Sequence, residues 1–288
     1  MKRASILQAA CALASLLTLA ACTGDELAER GTELPAGKYP ITFTAAVDGL
    51  IVTRATTDNT WTGSEDVAIQ IGSTTKKYTV SSDGSMSVAA GDNPFYWENK
   101  NDIIVSAWYP YSEQKPADNA LTVEADQSQA ANYQASDYLE ATDATVTFQE
   151  PKLTFTHRTA KVVVTLVKDA SIPDLNNVTV TFVNQDGVKG DGTDVTPKTE
   201  TNGDNVTTYT ALLIPKKMTD TPFIKVTLGG YDYFYTPTAA DEANLTAGQQ
   251  HAYTITLKKT GLTVTSSNDG SSWAGSADDV TGREKIDN

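Results

Sequence analysis

The sequence predicts an all-β protein built of sandwiches, and three observations carry that expectation. Apolar residues recur at every second position in segments such as Val67-Ala68-Ile69-Gln70-Ile71, Val178-Thr179-Val180-Thr181-Phe182 and Tyr253-Thr254-Ile255-Thr256-Leu257, the period of a strand with one buried face. Asp83-Gly84, Asp186-Gly187, Asp191-Gly192, Asn202-Gly203 and Gly229-Gly230 supply residues that tolerate the positive φ of tight turns. Helical periodicity is scarce: Ser128 to Leu139 is the best candidate, and it fits a short helix or an ordered loop equally. Many short strands at this spacing form sandwiches.

The chain starts with Met1, Lys2 and Arg3, followed by an apolar run to Ala21, the basic-then-apolar order of a secretory signal. Such a run can also be a membrane helix, but Leu19-Ala20-Ala21-Cys22 places two small residues directly before a cysteine and looks like a bacterial lipobox. Residues 1–21 are therefore expected to be removed and Cys22 to be acylated. Several acyl chains hold a protein on a membrane where one binds only marginally. Asp25 and Glu26 resemble the acidic signal that sends some lipoproteins to the outer surface, and also fit a solvated linker.

Residues 22–54 read as a lipidated leader, yet Tyr39, Ile41, Phe43, Ala45 and Val47 alternate with smaller or polar residues. That is a one-sided strand, and linkers rarely look like it. Burying Tyr39, Ile41 and Phe43 would contribute about 1.5–3 kcal/mol each as an upper bound, so the segment is expected to dock in the sandwich. Arg54 then lies among small polar residues, Val52-Thr53-Arg54-Ala55-Thr56. A trypsin-like protease would accept it, and it also fits an ordinary loop arginine.

Pro151, in Gln149-Glu150-Pro151-Lys152 between two strand-like runs, marks the expected boundary between a sandwich of residues 55–150 and a second of 151–288 that carries a C-terminal tail. The length of 288 residues and 40% apolar content allow two real cores. Both cysteines, Cys11 and Cys22, lie at or before the acylation site, so the mature domains hold no disulfide or thiolate metal site. The net charge of -14 argues against nucleic acid and anionic lipid as partners.

Residues that could carry chemistry have plainer readings. His157 and His251 are the two histidines, and neither has a Ser, Asp or Cys motif beside it, so both read as packing residues. Asn184, Asp186, Asp191 and Asp194 offer oxygens in a Gly-rich loop. They lack the glutamate and order of a calcium loop and fit a polar hairpin better. Phe95-Tyr96-Trp97, Trp108-Tyr109-Tyr111 and Tyr231-Tyr233-Phe234-Tyr235 could stack on sugar rings, but the alternation of the last set favours core packing. The expectation is no catalytic residue, no cofactor and no metal.

Thr53-Arg54-Ala55-Thr56, Trp61-Thr62-Gly63-Ser64-Glu65-Asp66-Val67-Ala68-Ile69, Ser106-Ala107-Trp108-Tyr109-Pro110-Tyr111, Ser136-Asp137-Tyr138-Leu139-Glu140-Ala141, Leu153-Thr154-Phe155-Thr156-His157-Arg158-Thr159-Ala160-Lys161-Val162, Leu245-Thr246-Ala247-Gly248 and a late Trp273 follow one another along the chain. This order of features resembles the fimbrillin family, subunits of the type V pili of certain gut and oral Gram-negative bacteria. It implies two transthyretin-like Greek-key β-sandwich domains in tandem and a precursor that reaches the outer membrane through its lipid. An arginine-specific surface protease would cut between Arg54 and Ala55, and assembly with other pilus subunits into a cell-surface fimbrium would follow by donor-strand exchange. A host protein or glycan is the implied adhesive target. Near the C-terminus the candidate donor strand offers only Leu262 and Val264 before polar sequence, which leaves stalk and tip positions both open, while Arg54 speaks against an uncleaved anchor. The competing function is a surface lipoprotein that captures glycans.

Overall fold

The computed structural model describes residues 33–47, 61–201, 206–239, 243–267 and, for the backbone, 284–287. Its strands are β1 (Thr44–Val47), β2 (Glu65–Ile71), β3 (Thr74–Val80), β4 (Met86–Ser87), β5 (Ile103–Tyr109), β6 (Leu139–Val146), β7 (Lys152–His157), β8 (Ala160–Lys168), β9 (Thr179–Phe182), β10 (Lys198–Thr201), β11 (Thr207–Leu213), β12 (Ile224–Leu228), β13 (Tyr231–Tyr235), β14 (Gln250–Lys258), β15 (Gly261–Ser267) and β16 (Glu284–Asp287). The protein is all-β, as the alternation predicts. Among the described residues one short α-helix, α1 (Ala130–Ala135), lies within the stretch where helix and loop were both open.

The first seven strands form one sheet in the order β1-β7-β6-β5-β2-β3-β4. Its inner face gathers Phe43, Val67, Ile69, Tyr78, Val105 and Phe155, each at most 1% exposed, into the first core. The outer faces of β2 and β5 are buried too. Ala68 and Trp108 pack there with Leu121 and Tyr138, against the half-buried Ile214 of the second half.

The second half stacks the sheet β10-β11-β8-β14-β15-β16 on the smaller sheet β13-β12-β9. Val162 and Val164 of β8 and Tyr253, Ile255 and Leu257 of β14 meet Phe182, Ile224 and Val226 across a second core. Phe223 ties the layers together, with ring centroids 5.7 Å from Phe182 and 5.6 Å from Tyr253, inside the range where aromatic pairs attract beyond their burial. β8 and β14 run parallel, a pairing that needs a long connection and that no hairpin signal announces.

Pro151 does not stand between the sheets. It precedes β7, whose Leu153, Phe155 and His157 are buried with the first sheet, and the second half's first strand begins at Ala160. The alternation simply continues past the proline. The two halves are stitched by the excursion between β5 and β6. Val123 bridges to Val188 and Asp126 to Thr196. The Gln127 side chain, fully buried, donates to Leu212 O and accepts from Leu212 N–H, both at 2.8 Å.

Candidate functional site

The leader occupies the first core. Ile41, Phe43 and Val47 are 3%, 1% and 4% exposed, while Tyr39 and Ala45 are half-buried against the same cluster. The expected face is the buried one. Phe43 meets Tyr78 edge-on at 5.6 Å. Leu34, upstream of the expected strand, is buried as well.

Hydrogen bonds hold the leader on two sides. β1 pairs in parallel with β7, in the register Thr44↔Lys152 to Val47↔Phe155. On the opposite side Ala45 N–H donates to Gly84 O at 2.8 Å and Phe43 O accepts from Met86 N–H at 3.1 Å. Further up, Ile41 N–H donates to Phe95 O, Tyr39 O accepts from Trp97 N–H, and Leu34 N–H donates to Glu98 O. Since β7 and β4 are the neighbouring edges of the remaining sheet, the leader closes that sheet on itself. An unpaired edge is a template for association, and here one segment covers two.

Gly84 fits this arrangement by having no side chain. Its φ is +83°, and a Cβ there would stand 2.5 Å from Ala45 O. Gly84→Ala is therefore expected to destabilise the fold by at least about 1 kcal/mol from the backbone alone and to push the leader outward. Hydrogen–deuterium exchange at residues 41–47 should rise in this variant. Gly72→Ala is the control, because Gly72 has φ +59° with nothing within 4 Å, so it carries the strain without the collision.

The segment Trp61-Thr62-Gly63-Ser64-Glu65 has a physical reason that its letters do not announce. The Glu65 carboxylate folds back on its own turn and accepts from Thr62 N–H at 2.9 Å, Gly63 N–H at 3.0 Å and Ser64 N–H at 3.1 Å. Gln134 of α1 adds a bond of 2.7 Å. Burial alone would raise the Glu65 pKa, but the bonds from Thr62 and Gly63 outweigh it and hold the carboxyl below its ordinary 4.5. A depressed carboxyl contributes stability that is complete above its unfolded value and is lost as pH falls through the folded one. Unfolding midpoints in urea are expected to drop below about pH 4.5, and Glu65→Gln to flatten that acid limb.

The other predicted sites are spread out. Cys22, Arg54 and Ala55 lie outside the described residues. Leu262 and Val264 sit in β15, 5% exposed each, paired with Leu257 and Ile255 of β14 and built into the second core. His157 is buried at the end of β7 with Nδ1 2.7 Å from Asp137, a partner far off in sequence. His251 Nε2 accepts from Thr246 N–H at 3.1 Å. In the Gly-rich loop, Lys216 takes the oxygens of Asp186 and Asn184 at 2.8 and 2.9 Å. Among the described residues no group of three or more His, Cys, Asp or Glu could hold a metal ion.

One aromatic expectation is corrected. Of Tyr231, Tyr233, Phe234 and Tyr235, only Tyr235 is buried, whereas Tyr231 and Phe234 are 71% and 48% exposed. β13 is the outer strand of the small sheet, so the face away from the core meets solvent and the turn end of the inner face runs past it.

Comparison with known proteins gives a consistent picture. Residues 53–269 match the family described as fimbrillin-like. Over 297 residues the chain is 25% identical to a Bacteroides uniformis protein named as a candidate fimbrium subunit, Fim1C, with 89% of this chain and 92% of that one covered. Two crystal structures of candidate cell adhesion proteins share the fold. One, from Bacteroides uniformis, has a TM-score of 0.60 at 22% identity and covers 80% of this chain and 98% of that one. The other, from Bacteroides ovatus, has a TM-score of 0.63 at 18% identity and covers 83% and 97%.

Proposed function

The chain belongs to the fimbrillin-like family, and from that premise we propose that it is a structural or adhesive subunit of a type V cell-surface pilus. In this reading it reaches the outer membrane as a lipoprotein on Cys22, is cut between Arg54 and Ala55 by an arginine-specific surface protease, and joins other subunits by strand exchange. The observation that carries the reading is the docked leader. A segment upstream of Arg54 supplies Ile41, Phe43 and Val47 to the core and bonds to both neighbouring edges.

Cutting after Arg54 removes the covalent link that keeps this strand at high effective concentration. An empty groove would expose apolar floor and unpaired backbone groups, both costly in water. A strand from another subunit satisfies them, with main-chain bonds for affinity and alternating side chains for register. Contacts of this head-to-tail kind that do not close into a ring build a filament.

The pairing of β15 bears on position in the filament. For Leu262 and Val264 to serve as a donor, β15 would have to leave β14 and the second core. That favours a subunit that accepts a strand over one that gives this one. The two halves are read as transthyretin-like Greek-key sandwiches in tandem, with the adhesive target a host protein or glycan.

The test uses the full precursor and an arginine-specific protease. A new N-terminus at Ala55 followed by oligomers in size exclusion is expected, with Arg54→Ala both resisting the cut and remaining monomeric. Cutting elsewhere, or a cut form that binds no other subunit, counts against the reading. The alternative, a glycan-binding surface lipoprotein, draws on the exposed rings of Tyr231 and Phe234. Binding on a glycan array that protease leaves unchanged and Tyr231→Ala abolishes would favour it.

A further inference from the structure

A cavity of about 220 Å³ opens at the C-terminal end of the leader strand, where Val47 forms part of its wall. Ile41 and Phe43 fill their own places in the core, and beyond Val47 no described side chain fills the space. The floor is apolar and stiff: Trp61 packs edge-on against Tyr109 at 6.2 Å and Phe155 at 5.5 Å, and Leu139 lies beside them. The far wall is α1, with Ala130 and Tyr133, and Lys198 of β10 stands 5.0 Å over the Tyr133 ring.

The polar groups on the rim are already engaged. Glu65 takes bonds from its own turn and from Gln134, and Asp137 pairs with His157. The cavity therefore offers apolar contact without a charge in need of a counter-ion. Apolar cavities of about 150 Å³ hold a benzene ring, so this one has room for a phenyl group.

We propose that this cavity is a socket for an apolar side chain larger than valine, of phenylalanine size, carried at the Val47 register by the strand of another subunit that replaces the leader. The inference rests on the strand-exchange reading and adds to it a selection rule. The leader is a short key at this register: Val47 lines the socket without filling it, and a replacing strand with a ring there gains burial that valine does not make. Docked leader and incoming strand share every other requirement of the groove, so this position discriminates between them. Lys198 of β10 also places part of the socket on the second half, so a filled socket braces the two halves against each other.

The first measurement is on the full chain. Val47→Phe is expected to raise the unfolding midpoint, since the ring enters existing space. A tightly packed site would instead be overpacked and lose stability, and a lowered midpoint overturns the proposal. The second measurement treats the full chain with arginine-specific protease in the presence of a synthetic peptide of residues 37–48, which contains no arginine, or of its Val47→Phe variant. Retention of the variant at about ten-fold lower concentration than the parent is expected from the added apolar burial. Ala130→Phe in the protein, which fills the socket from α1, should erase that difference. Equal retention of both peptides by the unmodified protein overturns the socket while leaving strand exchange standing. Retention of neither overturns strand exchange and the socket's use by a second subunit together.

Discussion

Truncating Phe43 to alanine is expected to cost about 3–5 kcal/mol, the range for removing a buried phenylalanine, with the loss concentrated in the first half. Phe43 is 1% exposed, touches Tyr78 edge-on and lies in the stretch of the described leader that bonds on both sides. The cavity left behind borders the Tyr78 ring and loosens the leader's main packing contact, while the remaining strands keep their own ladders, so the leader should loosen before the sheet does. Hydrogen–deuterium exchange is the discriminating measurement. Faster exchange is expected at residues 41–47, at β7 and around Gly84 to Met86, with β8, β11 and β14 unchanged. Uniform acceleration across both halves would mean that Phe43 supports the whole fold and not the docking of one strand. In the protease assay this variant should lose its leader fastest, which separates strand retention from the cut itself.

Replacing Gln127 by methionine, close to it in length, should cost roughly 2–6 kcal/mol, because both the N–H and the C=O of Leu212 lose their partner in a fully buried place and each unpaired group costs about 1–3 kcal/mol. The amide acts as one more rung of a ladder: it offers an acceptor and a donor at 2.8 Å to the two groups of one residue, and its Nε2 also reaches Glu124 O at 3.3 Å. Gln127 ties the excursion after β5 to β11, so its loss should separate the unfolding of the two halves into two transitions in urea. A single transition with a loss under about 1 kcal/mol would show that water takes over the rung. Gln127→Glu should cost at least as much at neutral pH, since its carboxylate keeps the acceptor for Leu212 N–H but buries a charge facing Leu212 O, and should recover toward acid pH as protonation restores a donor.

The leader's inward face was legible because alternation is local: Ile41, Phe43 and Val47 declare it without reference to anything else. Its partners were not, because a parallel pairing of Thr44–Val47 with Lys152–Phe155 leaves no turn signal in between. Leu34 escaped because Pro35 and Gly37 interrupt the alternation before it. Pro151 misled for the opposite reason, as a turn residue that opens a strand of the same sheet and does not separate two. The Trp61 to Glu65 segment was readable only as a resemblance. What Glu65 does there depends on three successive N–H groups converging on one carboxylate, a property of the turn and not of the letters. Gln127 carried no signal at all, being one polar residue in a mixed stretch. Tyr231 and Phe234 were misjudged because the period says which residues share a face and not whether that face is covered.

The register of β1 with β7 has a consequence for the order of events during biogenesis. The first strand of the described residues has its ladder partner at residues 152–155, and the excursion at Val123 to Gln127 waits for residues 188–212. Contacts of such long range form slowly, because the loop-closure entropy must be met before any of them stabilises the chain. The first sheet is closed only when its last strand, β7, has been made, and the excursion is fixed only by the second half. A chain emerging N-terminus first thus keeps β1 without its β7 partner until residues 152–155 exist, a delay that suits the export proposed above.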